Sequence, residues 1–454
     1  MTPDEYARLD ASDLADAVRA GRATRHEVHE AAQRMHERTD AVIHAVVEWY
    51  DEPSHAGDAD ESGPSGDDVA WPLAGVPILR KDFGSTEAGR LIEMGSRLAA
   101  GVTANETSPF VRRLLDAGAQ IVGRSAVPEF IQHGTTESQA FGVTRNPLDP
   151  TLSTGGSSGG AGAAVAAGVV PMAHASDCAG SIRIPAAACG LVGLKPSRRR
   201  VPWPDGGWGG IAEEFVLTRS LRDAALALDV LGDPWRPDLA PLDRPARIAL
   251  NTEHWAGETV DPTVSAWTEA AADRLRAAGH RVEVVPTPID DERLMTTWDT
   301  CFWRWVARIA EEVSVNTGRP IDGTTCEPIT LAAVDAVSRL TVDDVTSAEI
   351  EVGRITHDLQ SALDGFDAIL TPTLGRTFVP LDHVHGEVDT DDYLRRNSEL
   401  FPYSYLFNVT GWASLAVPVP GGTRRANGVE LPGSVQLSGP LGSERRLLAL
   451  AAAL

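Results

Sequence analysis

The sequence predicts an α/β protein in which a large mixed β-sheet is sandwiched by helices. Segments with helical periodicity alternate with short strand-like runs, which is typical of this class. With 454 residues, of which 43% are hydrophobic, the chain can also bury a large core. No internal repeat divides the sequence, so residues 1–454 are predicted to form a single domain.

The individual elements support this fold class in chain order. Residues 12–40 place apolar and charged residues at helical spacing, and the Thr24–Glu27 segment is a capping-box pattern. Residues 105–125 predict a helix followed by a strand, and residues 262–285 repeat that step. Residues 290–365 are largely helical by the same criterion and are predicted to form a helical cap or insertion within the domain.

Charge and cysteine content limit the classes of partner. The formal net charge of −24 argues against nucleic acid and anionic membranes as partners. Residues 51–68 contain seven acidic residues and no lysine or arginine, which predicts an acidic surface loop. Four scattered cysteines do not suggest a disulfide framework, and the N-terminus lacks an apolar signal core, so a cytoplasmic location is expected.

Motifs for metals and cofactors are weak. The His26–His29 segment lacks the spacing of a zinc-protease helix. The glycine-rich run at 160–165 lacks both a preceding strand and the last small residue of a dinucleotide fingerprint. No metal and no cofactor are therefore expected.

Two glycine-framed serine clusters are the most informative feature of the sequence. Ser157 and Ser158 lie in Gly155–Gly160, and Ser181 lies in Ala179–Pro185. Glycines at this density allow turns that other residues rarely adopt, so hydroxyl and N–H groups can point into one pocket. Acyl transfer needs such a convergence of a hydroxyl nucleophile and N–H donors on one carbonyl. The clusters therefore predict a serine hydrolase.

Lysine is scarce in this chain. Of the 40 basic residues, only Lys81 and Lys195 are lysines. A buried lysine can lose its charge and act as a base, whereas arginine stays protonated. Lys81 lies near the end of an apolar, strand-like run at 73–83, where burial lowers a lysine pKa. Lys81 is therefore the candidate base, and Lys195 is expected to have a structural role.

The order of these motifs resembles the amidase signature family. The lysine strand at 73–84, the serine-rich core at 155–196 and segments at 146–150, 367–372 and 431–436 are similar to the family's pattern. The resemblance implies the amidase signature fold and hydrolysis of a small-molecule carboxylic amide. The predicted assembly is a free-standing enzyme, for which a homodimer is one expected state.

The resemblance also implies catalytic roles. Ser181 is similar to the family's nucleophile and Lys81 to its general base. Ser157 is similar to the bridging serine, which family members hold through a cis peptide bond after the preceding glycine. Ser157 is then expected to relay a proton between Lys81 and Ser181.

The loop before Ser181 resembles the family's oxyanion loop. Its backbone N–H donors are expected at Cys178, Ala179, Gly180 and Ser181. Many members have glycine where Ala179 stands and threonine where Ser176 stands. An alanine at position 179 is strained if the position needs a positive φ. Three further residues are expected to support the catalytic groups: Ser158, Asp177 and Arg183.

Substrate contacts are predicted less directly. The expected residues are His133, Phe141, Cys301 and Trp412. The aromatic cluster at 298–305 either fills the core of the cap or lines the acyl pocket, and Trp412 either narrows the pocket or fills core. The Ala179–Pro185 run also resembles a subgroup of bacterial amidases that open the cyclic dimer of 6-aminohexanoate.

Three alternatives compete with this interpretation. Gly155–Gly159 also fits the G-x-S-x-G nucleophile elbow, but that motif needs a strand directly before Ser157, and residues 149–154 are typical of a turn. The chain could instead be the catalytic subunit of a tRNA-dependent amidotransferase, or a non-catalytic scaffold. The acidic surface favours a free-standing amidase, and so does the 411–413 segment, where Trp412-Ala413 stands in place of the Gln-Pro that family members often carry after Gly411. The presence of Lys81 argues against a scaffold.

Overall fold

The computed structural model describes residues 1–55, 71–203, 210–236, 238–426 and 429–454. Its helices in these ranges are α1 (Pro3–Tyr6), α2 (Ala11–Arg19), α3 (Arg25–Ile43), α4 (Pro109–Asp116), α5 (Gly159–Ala166), α6 (Arg183–Cys189), α7 (Leu221–Leu231), α8 (Pro262–Ala277), α9 (Asp291–Thr317), α10 (Pro328–Ser338), α11 (Val342–Ala362), α12 (Thr390–Leu400), α13 (Tyr405–Val409) and α14 (Glu444–Ala451). Its strands are β1 (Val46–Ser54), β2 (Pro77–Lys81), β3 (Gln120–Ser125), β4 (Glu137–Ser138), β5 (Gly142–Val143), β6 (Met172–Asp177), β7 (Val192–Lys195), β8 (Glu213–Thr218), β9 (Arg247–Leu250), β10 (Arg281–Val284), β11 (Ala368–Pro372), β12 (Ala413–Ala426) and β13 (Val429–Gly439).

Eleven strands of the described chain form one sheet, in the order β1-β3-β2-β6-β8-β7-β12-β13-β11-β9-β10. β2 runs parallel to both β3 and β6, whereas β8 runs antiparallel to both β6 and β7. β9 runs parallel to β10 and β11. The predicted large mixed sheet is confirmed.

Local signals at the helix starts agree with the structure. The Thr24 hydroxyl accepts a hydrogen bond from Glu27 N, and the Glu27 carboxylate accepts one from Thr24 N, so α3 begins with the predicted capping box. The two predicted helix–strand steps are α4 with β3 and α8 with β10. Ser108 caps α4, and Pro109 follows at the first helical position.

The core consists of two apolar clusters on opposite faces of the sheet. On β11, Ala368 and Leu370 belong to one cluster and Ile369 belongs to the other. Successive side chains of a strand point to opposite faces, so this alternation separates the clusters. Helices α5, α8 and α14 pack on the first face, and α9, α10 and α11 pack on the second. The predicted sandwich of helices around the sheet is confirmed.

The two segments that the sequence singled out are placed as follows. Residues 290–365 contain α9, α10 and α11. The predicted acidic loop at 51–68 starts too early, because residues 51–54 extend β1, whose Ser54 is still paired with Ile121 of β3. Residues 56–68 of that prediction lie outside the described residues.

All four cysteines are unpaired, and three of them, Cys178, Cys189 and Cys326, are buried. Across the described ranges, no helix has both the length and the apolar character that a membrane crossing needs.

Candidate active site

The candidate site lies at the carboxyl ends of two parallel strands. β2 ends at Lys81, β6 ends at Asp177, and the two strands pair directly. The carboxyl ends of parallel neighbours meet at one edge of a sheet, where ligands commonly bind. The loop that follows Asp177 carries Ser181 and leads into α6, which begins at Arg183.

The Lys81 side chain is fully buried and its nitrogen is surrounded by serines. Nζ lies 2.9 Å from Ser157 Oγ and 2.7 Å from Ser158 Oγ. It also lies 2.9 Å from Ser176 Oγ. The structure thus brings Lys81 together with both serines of the first predicted cluster, and adds a third serine from β6.

The electrostatic surroundings favour a neutral amine. Burial lowers the pKa of Lys81 to about 7, although Asp177 and Glu214 act in the opposite direction. A lysine in water has a pKa near 10.4 and is almost entirely protonated at neutral pH. Lys81 is therefore substantially uncharged at neutral pH and can accept a proton.

The two chain neighbours of Lys81 use other partners. Arg80 donates a hydrogen bond to Leu91 O at 2.6 Å, and Asp82 accepts one from Arg124 at 2.6 Å. This agrees with the alternation of side chains along a strand.

The turn that holds Ser157 is tightly packed. The peptide bond between Gly156 and Ser157 is cis, as the family resemblance predicts. A side chain at Gly156 would collide with the carbonyl oxygen of Thr135, so the position requires glycine. Thr136 Oγ1 accepts a hydrogen bond from Gly159 N at 3.0 Å and ties the start of α5 to this turn.

The nucleophile-elbow alternative is wrong for this turn. The motif needs a strand immediately before its serine. In the described chain, the segment between β5 and α5 contains only isolated bridges, at Arg145, Leu152 and Ser153. Ser157 therefore does not follow a strand.

A buried ion pair braces the loop around Ser181. Arg183 Nε and Nη2 donate to Asp177 at 2.9 and 2.8 Å, and neither side chain has any solvent exposure. Asp177 also accepts hydrogen bonds from Gly180 N at 2.7 Å and Ile182 N at 3.2 Å. Burial favours a higher pKa for Asp177, but Arg183 outweighs it and lowers the pKa to about 2. The carboxylate is therefore ionised and ties the loop together.

Backbone N–H groups beside Ser181 are free of protein acceptors. In the part of the chain that the structure describes, the amides of Cys178, Ala179 and Ser181 donate to no protein atom. The Gly180 N–H is bound to Asp177, so the structure does not offer it as the predicted oxyanion donor. Ala179 does not adopt a positive φ, whereas Gly180 has a φ of 112°. Alanine at position 179 is therefore unstrained.

A narrow cleft, lined mainly by apolar side chains, opens beside Ser181. Trp298 stacks on Phe302 with ring centroids 4.3 Å apart, and it meets Tyr405 edge-on at 4.8 Å. The indole N–H of Trp298 also donates to Cys178 O at 3.3 Å, which connects α9 to the nucleophile loop. Four side chains of α9 line the cleft: Met295, Trp298, Phe302 and Trp303.

Of the four predicted substrate contacts, His133 lines this cleft. It is buried, and its ring nitrogens lie 3.2 Å from the Tyr393 hydroxyl and 3.3 Å from Glu327 Oε2. These contacts hold the imidazole at the cleft wall.

The other three predicted contacts do not line the cleft. Phe141 lies in the turn between β4 and β5 and is partly exposed. Cys301 faces a separate surface groove, because it shares a different side of α9 with Arg304 and Trp305. Trp412 is 4% exposed and belongs to the apolar cluster on the second face of the sheet, so it fills core.

Several cleft residues were missed from the sequence. Tyr393 and Asn397 come from α12, and Tyr405 comes from α13. Their aromatic and amide side chains form no motif, and the signal that could have found them is the aromatic content of 393–407. Ser176 was noted only as a departure from the family's usual threonine.

Lys195, the second lysine, lies away from the cleft. It ends β7, is fully buried, and donates a hydrogen bond to Pro196 O at 2.8 Å. Burial lowers its pKa to about 8. The two lysines of the chain are therefore both buried at strand ends.

Comparisons with known proteins show which family the chain belongs to. The amidase family model matches residues 26–448. The 6-aminohexanoate-cyclic-dimer hydrolase of Paenarthrobacter ureafaciens is 30% identical, over 98% of this chain and 94% of its own length. The putative amidase AmiB2 of Mycobacterium bovis is 34% identical, over 100% of this chain and 96% of its own. A solved 6-aminohexanoate cyclic dimer hydrolase complexed with substrate has a TM-score of 0.86 and 28% identity, with 98% of this chain and 96% of that chain covered. The chain therefore belongs to the amidase signature family and is an enzyme that hydrolyses amide C–N bonds.

Proposed function

We propose that the protein hydrolyses a small carboxylic amide through an acyl-enzyme formed on Ser181. Lys81 acts as the general base, and Ser157 relays protons between Lys81 and Ser181. One observation carries this proposal. The Lys81 amine is fully buried, has a pKa near 7 and lies 2.9 Å from Ser157 Oγ.

The proposed chemistry conserves every proton. Neutral Lys81 accepts the proton of Ser157 while Ser157 takes the proton of Ser181, and Ser181 Oγ attacks the amide carbon. Reversal of the relay protonates the leaving nitrogen, and the C–N bond breaks. A water molecule then gives a proton to the relay and attacks the ester carbon. The bond between that carbon and Ser181 Oγ breaks, the relay returns the proton to Ser181, and the carboxylic acid leaves.

The proton path between Ser157 and Ser181 is not complete in the structure without substrate. Among the described residues, Ser157 and Ser181 share no hydrogen bond. Catalytic hydrogen bonds are often completed only in the Michaelis complex. We expect a side-chain rotation of Ser181 toward Ser157 to complete the path when substrate binds.

Backbone donors stabilise the charge that develops on the attacked carbonyl oxygen. The proposed donors are the amides of Cys178, Ala179 and Ser181, since none of them has an acceptor among the described residues. The ion pair of Asp177 with Arg183 fixes this loop before substrate arrives. Loss of one such donor typically costs about 10²- to 10³-fold in rate.

Covalent labelling tests which serine is acylated. A fluorophosphonate probe is expected to label Ser181 in the folded wild-type protein, because this hydroxyl is activated and reaches the cleft. Peptide mapping by mass spectrometry locates the adduct. Ser181→Ala should remove the label, and heat-denatured wild type serves as the control for non-specific reaction. An adduct on Ser157, or none in folded protein, would refute the proposal.

The pH profile tests the charge state of the base. Because Lys81 must be neutral and its pKa is about 7, kcat/KM is expected to fall about tenfold per pH unit below that value. Above about pH 8 the profile should level off. The assay uses a neutral acyl p-nitroanilide, whose own charge is constant over this range. A flat profile between about pH 5 and 7 is incompatible with a neutral lysine base.

A further inference from the structure

Asp299 lies in α9 between residues that line the cleft, although it is not itself one of the lining residues, and the proposed mechanism does not use it. Met295 and Trp303 both line the cleft. Asp299 is four residues after Met295 and four residues before Trp303 in the same helix. Residues at this spacing share one helix face. Asp299 is therefore between two cleft-lining side chains.

Asp299 keeps some solvent exposure, and its carboxylate has no hydrogen-bond partner among the described residues. Its Oδ1 atom is shielded from solvent and makes no hydrogen bond in the described chain. Burial alone raises the pKa of Asp299 to about 7. A shielded, unpaired carboxylate costs free energy unless a group of opposite charge compensates it.

The surroundings of Asp299 suit a cation. Burial raises the pKa of Tyr393 and Tyr405, and the charge of Asp299 raises both further, so all three groups are within electrostatic reach. The rings of Trp303 and Tyr393 lie 6.4 Å apart. Aromatic faces attract ammonium groups. In the described chain, no lysine or arginine lines the cleft to occupy that place.

We propose that Asp299 binds an ammonium group of the substrate, so that the preferred amides carry a protonated aliphatic amine. The ammonium forms an ion pair with the carboxylate and packs against the aromatic wall, and no covalent bond changes in this step. This inference rests on the proposed function, because it assigns a recognition group to the same cleft.

Calorimetric titration tests the inference without requiring turnover. The probes are n-butyl-, n-hexyl- and n-octylammonium, each paired with the primary alcohol of equal length, at about pH 8. Asp299→Asn is expected to weaken binding of the best ammonium about 10- to 100-fold and to leave the matched alcohol unchanged. Glu311→Gln removes an exposed carboxylate from the same helix and should change neither.

Four results would overturn the inference. The ammonium could bind no tighter than its alcohol, it could bind wild type and Asp299→Asn equally, or it could fail to bind at all. Equal weakening of ammonium and alcohol would also contradict it, because that pattern indicates a general loss of packing. A thermal melt confirms that Asp299→Asn is folded. If Ser181 is not labelled, the catalytic proposal is refuted, but the titrations still test whether Asp299 binds an ammonium group. Failure of the one proposal can therefore be distinguished from failure of the other.

Discussion

Replacement of Ser181 by alanine is expected to lower kcat for amide hydrolysis by about 10⁴- to 10⁶-fold. Alanine lacks the oxygen that forms the ester, so neither acylation nor the later hydrolysis of the acyl-enzyme can occur. The residual rate then comes from the cleft and the backbone donors alone. The measurement is kcat on the best substrate among neutral acyl p-nitroanilides from acetyl to octanoyl.

The fold should survive this change. Ser181 shares no hydrogen bond with Ser157, so its hydroxyl does not hold the serine turn in place. Ser153→Ala is the matched control, because it removes a buried hydroxyl that accepts a hydrogen bond from Gly155 N at 3.2 Å in the same segment. We expect Ser153→Ala to affect stability more than kcat. Retention of more than about 1% of wild-type kcat by Ser181→Ala would exclude Ser181 as the nucleophile.

The fold class was predictable because its signals are local. The capping box of α3 and the step from α8 to β10 depend on residues close together in the sequence. The strand order depends on distant pairings, such as β7 with β12, whose residues Lys195 and Ser414 are partners. No local pattern encodes such a pairing, so the sequence predicted a mixed sheet without its order.

In the candidate site, too, local motifs were predictable and contacts between distant segments were not. The glycine-framed serines and the scarce lysine indicated Lys81 and Ser157, which the structure places 2.9 Å apart. The contact of Lys81 with Ser176 was not predictable, because it arises from the pairing of β2 with β6. Nothing in the immediate sequence around Ser176 identifies that neighbour.

Substrate contacts were the least predictable part of the site. Cys301 was expected in the pocket, but the rotation of α9 turns it toward a different groove. Tyr393 and Tyr405 were missed because they follow Ser181 by more than 200 residues and reach the cleft only through packing. Helical spacing indicates which residues share a face, but it does not say which face meets a ligand.

Replacement of Lys81 by methionine is expected to lower kcat by about 10²- to 10⁴-fold and to remove the pH dependence near 7. Methionine fills most of the volume of the buried side chain but cannot accept a proton. The measurement is the kcat/KM profile between about pH 5 and 9. Lys195→Met is the control for loss of the other fully buried lysine, which does not line the cleft, although its charge helps to lower the pKa of Asp177. Its kcat should stay within a few-fold of wild type.

Lys81→Arg separates a base from a positive charge. Arginine stays protonated in proteins and cannot take the proton of Ser157. If Lys81 acts as a base, Lys81→Arg should be as inactive as Lys81→Met at every pH. If Lys81 instead stabilises negative charge as a cation, Lys81→Arg should retain much of the activity that Lys81→Met loses. An active Lys81→Arg enzyme would therefore exclude the neutral-amine mechanism, even though Lys81 lies within hydrogen-bonding distance of Ser157.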